Sequence, residues 1–364
     1  MSTPQWIIAQ IGAREHYAAA RAMHRRGQLD HLFTDAWAHH PMLSKFGPGS
    51  VRALAGRRHP DLPSTLVNAR TLPTIAAMLV GKLQRRRTVE AEYRHFAAVG
   101  KQFAQWVTDR LDVTSLRPAE HAYFGYDTGC LETLEALNRQ GVFSIVDQID
   151  PARTEERMVR EETERWPDWQ AMPGRVPEMY WQRLAAEWDA ASVVLANSPW
   201  SRDALIEQGV PATKIVVVPL AFEPPADAPR RPPNRDRPLT VLWLGSVILR
   251  KGIAYLIEAA RKLSDRSIRF VVAGPVGISE AALATFPDNV EMLGRVARTE
   301  AGKVYQEADV FALPTISDGF AMTQLEAMAH GLPVIATPNC GQVVTDGVDG
   351  RIIPARDSDA LAAV

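Results

Sequence analysis

Two carboxylates that could bind a polar ligand, Asp318 and Glu326, flank the start of a predicted helix in residues 314–337, PTISDGFAMTQLEAMAHGLPVIAT. Short apolar runs at 308–313 and 332–336 are each typical of a buried strand. The pattern therefore predicts a unit of strand, turn, helix and strand, with the two strands parallel. Glu326 lies near the apolar face of this helix, where an ionised carboxylate needs a cation or ligand hydroxyls as its partner.

The turn before this helix could bind a phosphate. Backbone N–H groups at a helix N-terminus lack partners within the helix and, together with the helix dipole, attract anions. The alternative is a core helix that Asp318 caps, and the residue pattern leaves both interpretations open. The glycines that punctuate the turn and the helix end are Gly319 and Gly331, and the candidate N–H donors are those of Phe320, Ala321 and Met322.

Length and composition limit the class of protein. The 364 residues are enough for two domains with separate cores. Hydrophobic residues make up 46% and charged residues 23%, which are globular values and exclude a fibre or a disordered chain. A formal net charge of -1 gives no overall field that would attract nucleic acid, so we expect no nucleic-acid partner.

Cysteine content and hydropathy indicate the compartment. Cys130 and Cys340 are too few for a disulfide framework or a cysteine zinc site, which fits a reducing compartment. The sequence has no segment with the layout of a signal peptide, and no apolar run reaches the ~18 residues that span a bilayer. These features predict a cytoplasmic protein.

The N-terminal half offers candidate site residues at the ends of two predicted strands. Gly12, Arg14 and His16 follow the first strand directly and precede a helix, as at the ligand-binding turn of a nucleotide-binding sheet. Asp147 and Gln148 follow a later strand, and polar residues at the carboxyl edge of a parallel sheet lie where ligands bind. The G-x-G-x-x-G fingerprint is missing, which argues against a dehydrogenase.

A Pro-rich, charged segment divides the chain. Residues 223–238 contain almost no large apolar side chain, which is a linker composition. Strands and helices alternate before it, in residues 1–222, and again after it, in residues 239–364. The predicted fold class is therefore α/β, with two Rossmann-like domains whose parallel sheets face an interdomain cleft.

Two basic clusters lie in the region 37–117, which is otherwise poor in motifs. They are GRRHP at 56–60 and KLQRRR at 82–87. Such clusters fit a solvated helix face, and they also fit contact with an acidic acceptor or with the anionic inner face of a membrane. Both interpretations stay open, and the second predicts a peripheral membrane contact.

Ordered motifs in the C-terminal half resemble the glycosyltransferase family 4 enzymes, which have the GT-B fold. The motifs follow in the order and spacing of that family, and they are GSVILRKG (245–252), AGP (273–275), EMLGRV (291–296), ADVFALPT (308–315) and the stretch 314–337. The N-terminal half is similar more loosely, through GAREHYAAARAMHRRG (12–27), ANSPWSRDALIEQGV (196–210) and VVVPLAFEP (216–224).

This resemblance implies transfer of a sugar, with retention of configuration, from a UDP- or GDP-sugar donor to an unknown acceptor, with no metal or other cofactor. It places Lys251 on the donor diphosphate and Glu326 on the ribose hydroxyls. The leaving diphosphate gains charge, so a fixed cation stabilises the transition state more than the ground state. The implied catalytic residues are Asp318, Lys251 and Glu326, and the further donor-binding residues are Gly245, Ser246, Arg250, Gly274, Arg295, Gly319, Phe320, Ala321 and Met322.

The chain departs from the family pattern at particular positions. Asp318 stands where the family normally has Glu, which is longer by one methylene. Ser246 stands where the family usually has Arg, and Arg250 is a candidate replacement cation. The residues that could stand in for a His found in the N-terminal half of the family are Asp147, Gln148 or His16.

These departures leave two other functions open: a nucleotide-sugar-binding protein without catalysis, and a GT-B epimerase that acts on the nucleotide sugar itself. The D-x-D triplet at 357–359 is interpreted as a helix cap, and no metal site is predicted. The family usually continues with a helix that returns to the first domain, so we expect a chain that is truncated at its C-terminus.

Overall fold

The computed structural model of the protein describes residues 3–38, 56–83, 88–169, 174–225 and 237–364. Most of the predicted linker, at 226–236, lies outside these ranges. The same holds for most of the KLQRRR cluster, so a membrane contact there stays a prediction. Within the described ranges, the structure has no helix whose length and apolar content would let it cross a membrane.

Two compact units make up the chain, and each draws on more than one segment. The first consists of Met1–Ile149, Met172–Leu195 and Val210–Val216. The second consists of Asp150–Ala171, Ala196–Gly209 and Val217–Val364. Two segments that the sequence analysis placed within 1–222 therefore pack with the second unit.

Each unit is built on one sheet. In the first unit the strands are β1 (Gln5–Gln10), β2 (Leu29–Thr34), β3 (Val67–Ala69), β4 (His121–Tyr126), β5 (Phe143–Gln148), β6 (Val193–Ala196) and β7 (Ile215–Val217). In the second unit they are β8 (Leu239–Leu244), β9 (Ile268–Ala273), β10 (Val290–Gly294), β11 (Val310–Leu313), β12 (Val334–Ala336) and β13 (Gly350–Ile352). The strand orders are β3-β2-β1-β4-β5-β6-β7 and β10-β9-β8-β11-β12-β13.

In each sheet, the strands that follow the first one in the chain are added first on one side of it and then on the other side. Strand β1 pairs in parallel with β2 and β4, and β8 pairs in parallel with β9 and β11. In sheets of this kind, ligands bind outside the carboxyl ends of the strands, at the point where the order changes sides. The predicted class of two Rossmann-like domains with parallel sheets is confirmed.

The helices in chain order are α1 (Ala18–Arg25), α2 (Thr71–Leu83), α3 (Val89–Arg110), α4 (Leu131–Arg139), α5 (Arg153–Arg165), α6 (Glu178–Ala190), α7 (Pro199–Glu207), α8 (Ile253–Lys262), α9 (Glu280–Leu283), α10 (Arg298–Gln306), α11 (Met322–Ala329) and α12 (Ser358–Ala363). Between β11 and β12, helix α11 completes the unit predicted from residues 314–337. Gly331 has φ 76° directly after this helix, as predicted for a helix C-terminus.

The first helix begins after the turn residues that follow β1, as the sequence indicates. Glu15, His16 and Tyr17 have φ values of 48°, 52° and 61°, and α1 starts only at Ala18. Residues in the left-handed region cannot continue a right-handed helix, so these three residues form the turn between β1 and α1. The short strand β3 was missed, because three residues are too few for a periodic pattern.

Buried central strands explain why these sheets form. Ile7 and Ile8 in β1 are both fully buried, as are Leu242 and Trp243 in β8. Burial of consecutive residues means that both faces of the strand are covered, which is the usual state of a parallel sheet. In the second unit, Trp243 Nε1 also donates to Lys251 O at 3.3 Å, so the core holds the loop that follows β8.

Aromatic side chains anchor the segment 150–169 in the second unit. Trp169 is buried in the same hydrophobic cluster as Trp243, and Trp166 packs against that cluster. On α5, Glu162 accepts a hydrogen bond from Tyr255 Oη at 2.8 Å. These contacts give the physical reason why this segment belongs to the second unit and not to the first.

Candidate functional site

A cavity of about 740 Å³ lies at the carboxyl edge of the second sheet. Its lining combines loops that follow three strands with residues of α10 and α11. The strand ends and the loops after them contribute Leu244, Gly245, Ser246, Ala273, Gly274, Pro275, Arg295 and Val296. Helices α10 and α11, with the residue after α11, contribute Ala301, Gly302, Tyr305, Gln306, Thr323, Glu326 and His330. The segment before β8 contributes Phe222, Glu223 and Pro225. Five predicted donor-binding residues line this cavity, namely Gly245, Ser246, Gly274, Arg295 and Glu326.

Glu326 has a protein partner that the sequence analysis missed. Tyr305 Oη donates to Glu326 Oε2 at 2.7 Å. The Tyr305 ring stacks on His330 at a centroid distance of 5.1 Å, and His330 Nδ1 lies 2.8 Å from Glu326 O. Burial, followed by the negative charge of Glu326, raises the pKa of Tyr305, so the phenol stays a donor at neutral pH. The carboxylate is therefore fixed in orientation at the cavity wall.

Close backbone packing explains the glycine at position 274. Gly274 has φ 144°, and a Cβ atom there would lie 1.7 Å from Gly245 O. Gly245 N donates to Ala273 O at 2.9 Å, and Gly274 N donates to Gly294 O at 2.7 Å. The loops after β8, β9 and β10 thus lie against one another, and their backbones form one side of the cavity.

Arg250, Lys251 and Asp318 form a second cluster. Lys251 Nζ pairs with Asp318 Oδ2, and Arg250 Nη1 lies 3.5 Å from Asp318 Oδ1 and 3.1 Å from Ser317 O. Glu155 Oε2, on α5, lies 3.1 Å from the same Arg250 nitrogen. Burial raises the pKa of Asp318, but the Lys251 ammonium and the Arg250 guanidinium outweigh burial and hold that pKa below its usual value.

The loop that carries these cations is fastened to the loop before α11. Gly252 has φ 73°, and a Cβ atom there would lie 1.8 Å from Pro314 O. Ile316 N donates to Arg250 O at 2.9 Å, and Thr315 Oγ1 donates to the same oxygen at 3.1 Å. The position of Arg250 relative to Asp318 therefore follows from backbone hydrogen bonds as well as from charge.

The alternative in which Asp318 caps the helix is wrong. The N-cap of α11 is Ala321, with no side-chain cap hydrogen bond, and the Asp318 carboxylate is engaged by cations. Ala321 N donates to Cys340 O at 3.1 Å, so this N–H group is not available to a phosphate. The other two predicted N–H donors are those of Phe320 and Met322. Gly319 and Phe320 connect Asp318 to the helix, which begins at Met322.

In the first unit, the structure brings most of the predicted N-terminal candidates to the edge of the sheet. Gln148 Nε2 donates to Asp127 Oδ2 at 3.1 Å, and Arg14 Nη1 lies 3.4 Å from Asp127 Oδ1. Burial, followed by the charge of Glu15, raises the pKa of Asp147 to about 7, and Arg14 lowers it in part. This edge therefore groups Asp127, Asp147 and Gln148 around Arg14.

Gly12 and His16 have separate places in this unit. Gly12 N donates to Asp35 Oδ1 at 2.8 Å, and Arg57 Nη1 pairs with the same oxygen at 2.7 Å. Arg57 belongs to the GRRHP cluster, so this arginine is neither on a helix nor directed only to solvent. His16 is exposed in the left-handed turn before α1.

Sequence reasoning missed Tyr305, Asp127 and Glu155. Asp127 follows β4 directly, so the rule that selected Asp147 at the carboxyl end of β5 would have found it; Asp147 and Gln148 are the last two residues of that strand and do not follow it as predicted. Tyr305 and Glu155 carry no local signal, because their partners are 21 and 95 residues away. The D-x-D triplet is a cap as predicted, since Asp357 Oδ1 accepts from Ala360 N at 2.8 Å. Within the described ranges, no group of three or more His, Cys, Asp or Glu side chains is placed to hold a metal ion.

Comparison with known proteins assigns a class to the region that contains the cavity. Residues 238–364 match the model of the family Glycosyl transferases group 1. This region includes all of the second sheet and both residue clusters, apart from Glu155. The C-terminal part of the chain is thus a region of the glycosyl transferases group 1 type.

Particular relatives are glycosyltransferases of bacterial polysaccharide and inositol chemistry. A stretch of 176 residues is 31% identical to the amylovoran biosynthesis glycosyltransferase AmsK of Erwinia amylovora, covering 44% of this chain and 43% of AmsK. A stretch of 220 residues is 32% identical to the D-inositol 3-phosphate glycosyltransferase of Xylanimonas cellulosilytica, covering 53% of this chain and 52% of that enzyme. The chain spans about half the length of the curated relatives it matches.

Solved structures extend the likeness of fold to nearly the whole chain. HepE of Anabaena, crystallised in complex with UDP-glucose, superposes with a TM-score of 0.58 over 99% of this chain and 88% of that chain. The sequence identity is 16%, so this likeness shows the fold alone. It is the fold that the sequence motifs indicated.

Proposed function

We propose that this protein is a retaining glycosyltransferase that moves a sugar from a nucleotide-diphosphate donor to a glycan, lipid or small-molecule acceptor. The observation that carries the proposal is the cavity at the edge of the second sheet, lined by Gly274, Arg295 and Glu326, within the region that matches the glycosyltransferase family. Glu326 is held by Tyr305 in a position where it can accept hydrogen bonds from ribose hydroxyls. The first unit supplies the acceptor side.

Lys251 and Arg250 provide the positive charge that the reaction needs. When the glycosidic bond breaks, the diphosphate leaves with additional negative charge, and fixed cations in a partly dry site stabilise that charge without reorganisation. In this reaction the acceptor hydroxyl bonds to the anomeric carbon on the face that the diphosphate leaves and gives its proton to an oxygen of the donor phosphate, so the sugar keeps its configuration. Because the two side chains can supply this charge, we propose that no metal is required.

In the structure, the Asp318 carboxylate forms an ion pair with the Lys251 ammonium. As it binds, the donor diphosphate must therefore either share Lys251 with this carboxylate or displace the carboxylate from Lys251. Displacement would leave Asp318 able to accept a hydrogen bond from a sugar hydroxyl, which is the role proposed for it here. The acceptor hydroxyl then attacks from the same face that the diphosphate leaves.

The experiment is a transfer assay with a panel of nucleotide sugars, starting with UDP-glucose and GDP-mannose, and a cell-envelope lipid extract as acceptor. We expect a glycoside product by mass spectrometry, in the presence and absence of a chelator. Replacing Lys251→Ala should lower the rate about 10²- to 10³-fold, because one transition-state cation is lost. The matched control is Lys262→Ala. The Lys262 ammonium pairs with Asp359 at 2.6 Å and does not line the cavity, so this substitution should change the rate little.

Other products would contradict the proposal in distinguishable ways. Binding of nucleotide sugar without release of sugar to any acceptor would indicate a binding protein without catalysis. An isomerised nucleotide sugar or a glycal would indicate an epimerase. Equal rates for the Lys251 and Lys262 variants would remove Lys251 from the reaction.

A further inference from the structure

A carboxylate on α5 faces the cations proposed for the donor diphosphate. Glu155 Oε2 lies 3.1 Å from Arg250 Nη1, with the two side chains 15% and 25% exposed. The same Arg250 nitrogen lies 3.5 Å from Asp318 Oδ1, and Asp318 pairs with Lys251. Two carboxylates thus balance two cations in a partly buried cluster. Arg250, Lys251 and Asp318 lie within the motifs of residues 245–337, whereas Glu155 lies outside them.

The fold fixes the position of Glu155 independently of its ion pair. Helix α5 is held in the second unit by Trp169, which is buried in the core of that unit, and by the hydrogen bond from Tyr255 to Glu162. Arg356 adds a salt bridge to Glu161 at 2.7 Å. Glu155 is therefore presented to Arg250 by a docked helix and cannot move away with a flexible loop.

A bound diphosphate would upset the charge balance of this cluster. The diphosphate of a nucleotide sugar carries two negative charges, so its arrival beside Arg250 and Lys251 leaves an excess of two negative charges. Like charges at such short range in a partly dry site disfavour ionisation of the weakest-held acid. Asp318 contacts both cations, whereas Glu155 contacts only Arg250 within the part of the chain that the structure describes. Glu155 is therefore the carboxylate that gains a proton most readily.

We propose that Glu155 is a positioning residue of the donor site, and that it takes up a proton when the donor diphosphate binds to Arg250 and Lys251. This inference rests on the proposed function. Once protonated, Glu155 no longer competes with the diphosphate for the guanidinium of Arg250. It can then accept one hydrogen bond from Arg250 through its carbonyl oxygen and keep the guanidinium in place.

The charges around Glu155 set the pH at which this happens. Burial raises the pKa of Glu155 to about 7, and Arg250 lowers it in part. Asp150 and Asp318 raise it further and Lys251 lowers it. A bound diphosphate raises the pKa again, so proton uptake accompanies binding only where free Glu155 is ionised. Donor affinity should therefore be constant below about pH 7 and fall as the pH rises above it.

The test is titration calorimetry with UDP-glucose and GDP-mannose on the full chain between about pH 6 and pH 8.5. The donor phosphates keep a constant charge over this range, so a pH effect belongs to the protein. For the nucleotide sugar that binds, we expect Kd to rise roughly tenfold for each pH unit above the pKa of Glu155. Heats in two buffers of different ionisation enthalpy should show up to one proton taken up per donor at pH 8.

Glu155→Gln should abolish this pH dependence, because the amide mimics the protonated acid at every pH. The matched control is Glu156→Gln, which makes the same change one residue along α5 at a side chain 3.9 Å from Arg160. The control should keep the pH profile of the unmodified protein. The proton count in two buffers needs no variant, so it tests the inference even if Glu155→Gln does not fold.

The outcomes separate this inference from the function on which it rests. If neither nucleotide sugar binds at any pH, the proposed function fails and the inference falls with it. If one binds with a Kd that is flat across the range, or with no proton uptake at pH 8, only the inference fails. An equal change of profile in the Glu155 and Glu156 variants would also overturn it.

Discussion

At the scale of residues, the pairing of Tyr305 with Glu326 is the contact that prepares the cavity wall for a ligand. The carboxylate is half-buried, and the phenol oxygen lies 2.7 Å from it. A carboxylate that is held in one orientation loses less conformational entropy when it accepts hydroxyls of a ligand. We therefore expect Tyr305 to affect donor affinity although the motif analysis did not include it.

Replacing Tyr305→Phe removes this hydrogen bond and leaves the ring in place. We expect the Kd for the nucleotide sugar to rise about tenfold, since a hydrogen bond to a charged group contributes roughly 1.5–3 kcal/mol and part of that is regained from water. The measurement is titration calorimetry together with the free energy of unfolding. Tyr180→Phe is the matched control, because Tyr180 Oη lies 3.0 Å from Thr128 Oγ1 in the first unit and does not line the cavity. The control should lower stability without changing Kd, and equal effects of the two variants on Kd would contradict this account.

At the scale of elements, the loops after β8 and β9 define the cavity through their backbones. Gly274 lies so close to Gly245 that only a residue without Cβ fits. The packing of these loops therefore requires glycine at position 274 but not at position 245. At Gly245 a Cβ atom would meet the Trp243 ring at 3.6 Å, which is ordinary contact.

Gly274→Ala should destabilise the second unit by about 2–4 kcal/mol or prevent its folding, because the methyl group collides with backbone and φ is positive. Gly245→Ala adds the same methyl group in the neighbouring loop and should cost less than about 1 kcal/mol. The measurement is denaturant unfolding of both variants and of the unmodified protein. Similar stability of the two variants would show that the loops are not packed as described.

The elements also show what the sequence could and could not predict. The apolar patterns predict strands at 29–34 and 239–245 and a helix that starts at Gly252. Strand β2 matches its prediction, β8 ends one residue earlier and α8 begins one residue later, because these patterns are unambiguous. Glu15 to Tyr17 lie before α1, as predicted, but their left-handed values of φ could not be predicted from the sequence. Local pattern contains no information on such a tertiary constraint.

At the scale of the whole molecule, the division into two units follows contacts that are distant in sequence. The Pro-rich composition of residues 223–238 predicted one division of the chain near residue 222. The segments 150–171 and 196–209 nevertheless belong to the second unit. Trp169 and Glu155 lie in the first of these segments and contact residues about a hundred positions later, which no periodicity could reveal.

The same long-range packing limited the prediction of the site. Lys251 could be selected because its motif resembles that of family 4, and Glu326 because it lies near the apolar face of a predicted helix. Glu155 could not, since its relevance arises only when α5 docks beside the loop after β8. The parts of a site that come from a remote helix therefore need the structure.

The central claim is that the second unit binds the donor, and hydrogen exchange with and without nucleotide sugar tests it most directly. We predict slower exchange of backbone amides in residues 244–252, 273–275 and 317–326 when UDP-glucose or GDP-mannose is added at a saturating concentration. Peptides that cover β1 and β2 serve as the internal reference and should change less. Slower exchange confined to the first unit, with residues 244–252 and 317–326 unchanged, would contradict the account.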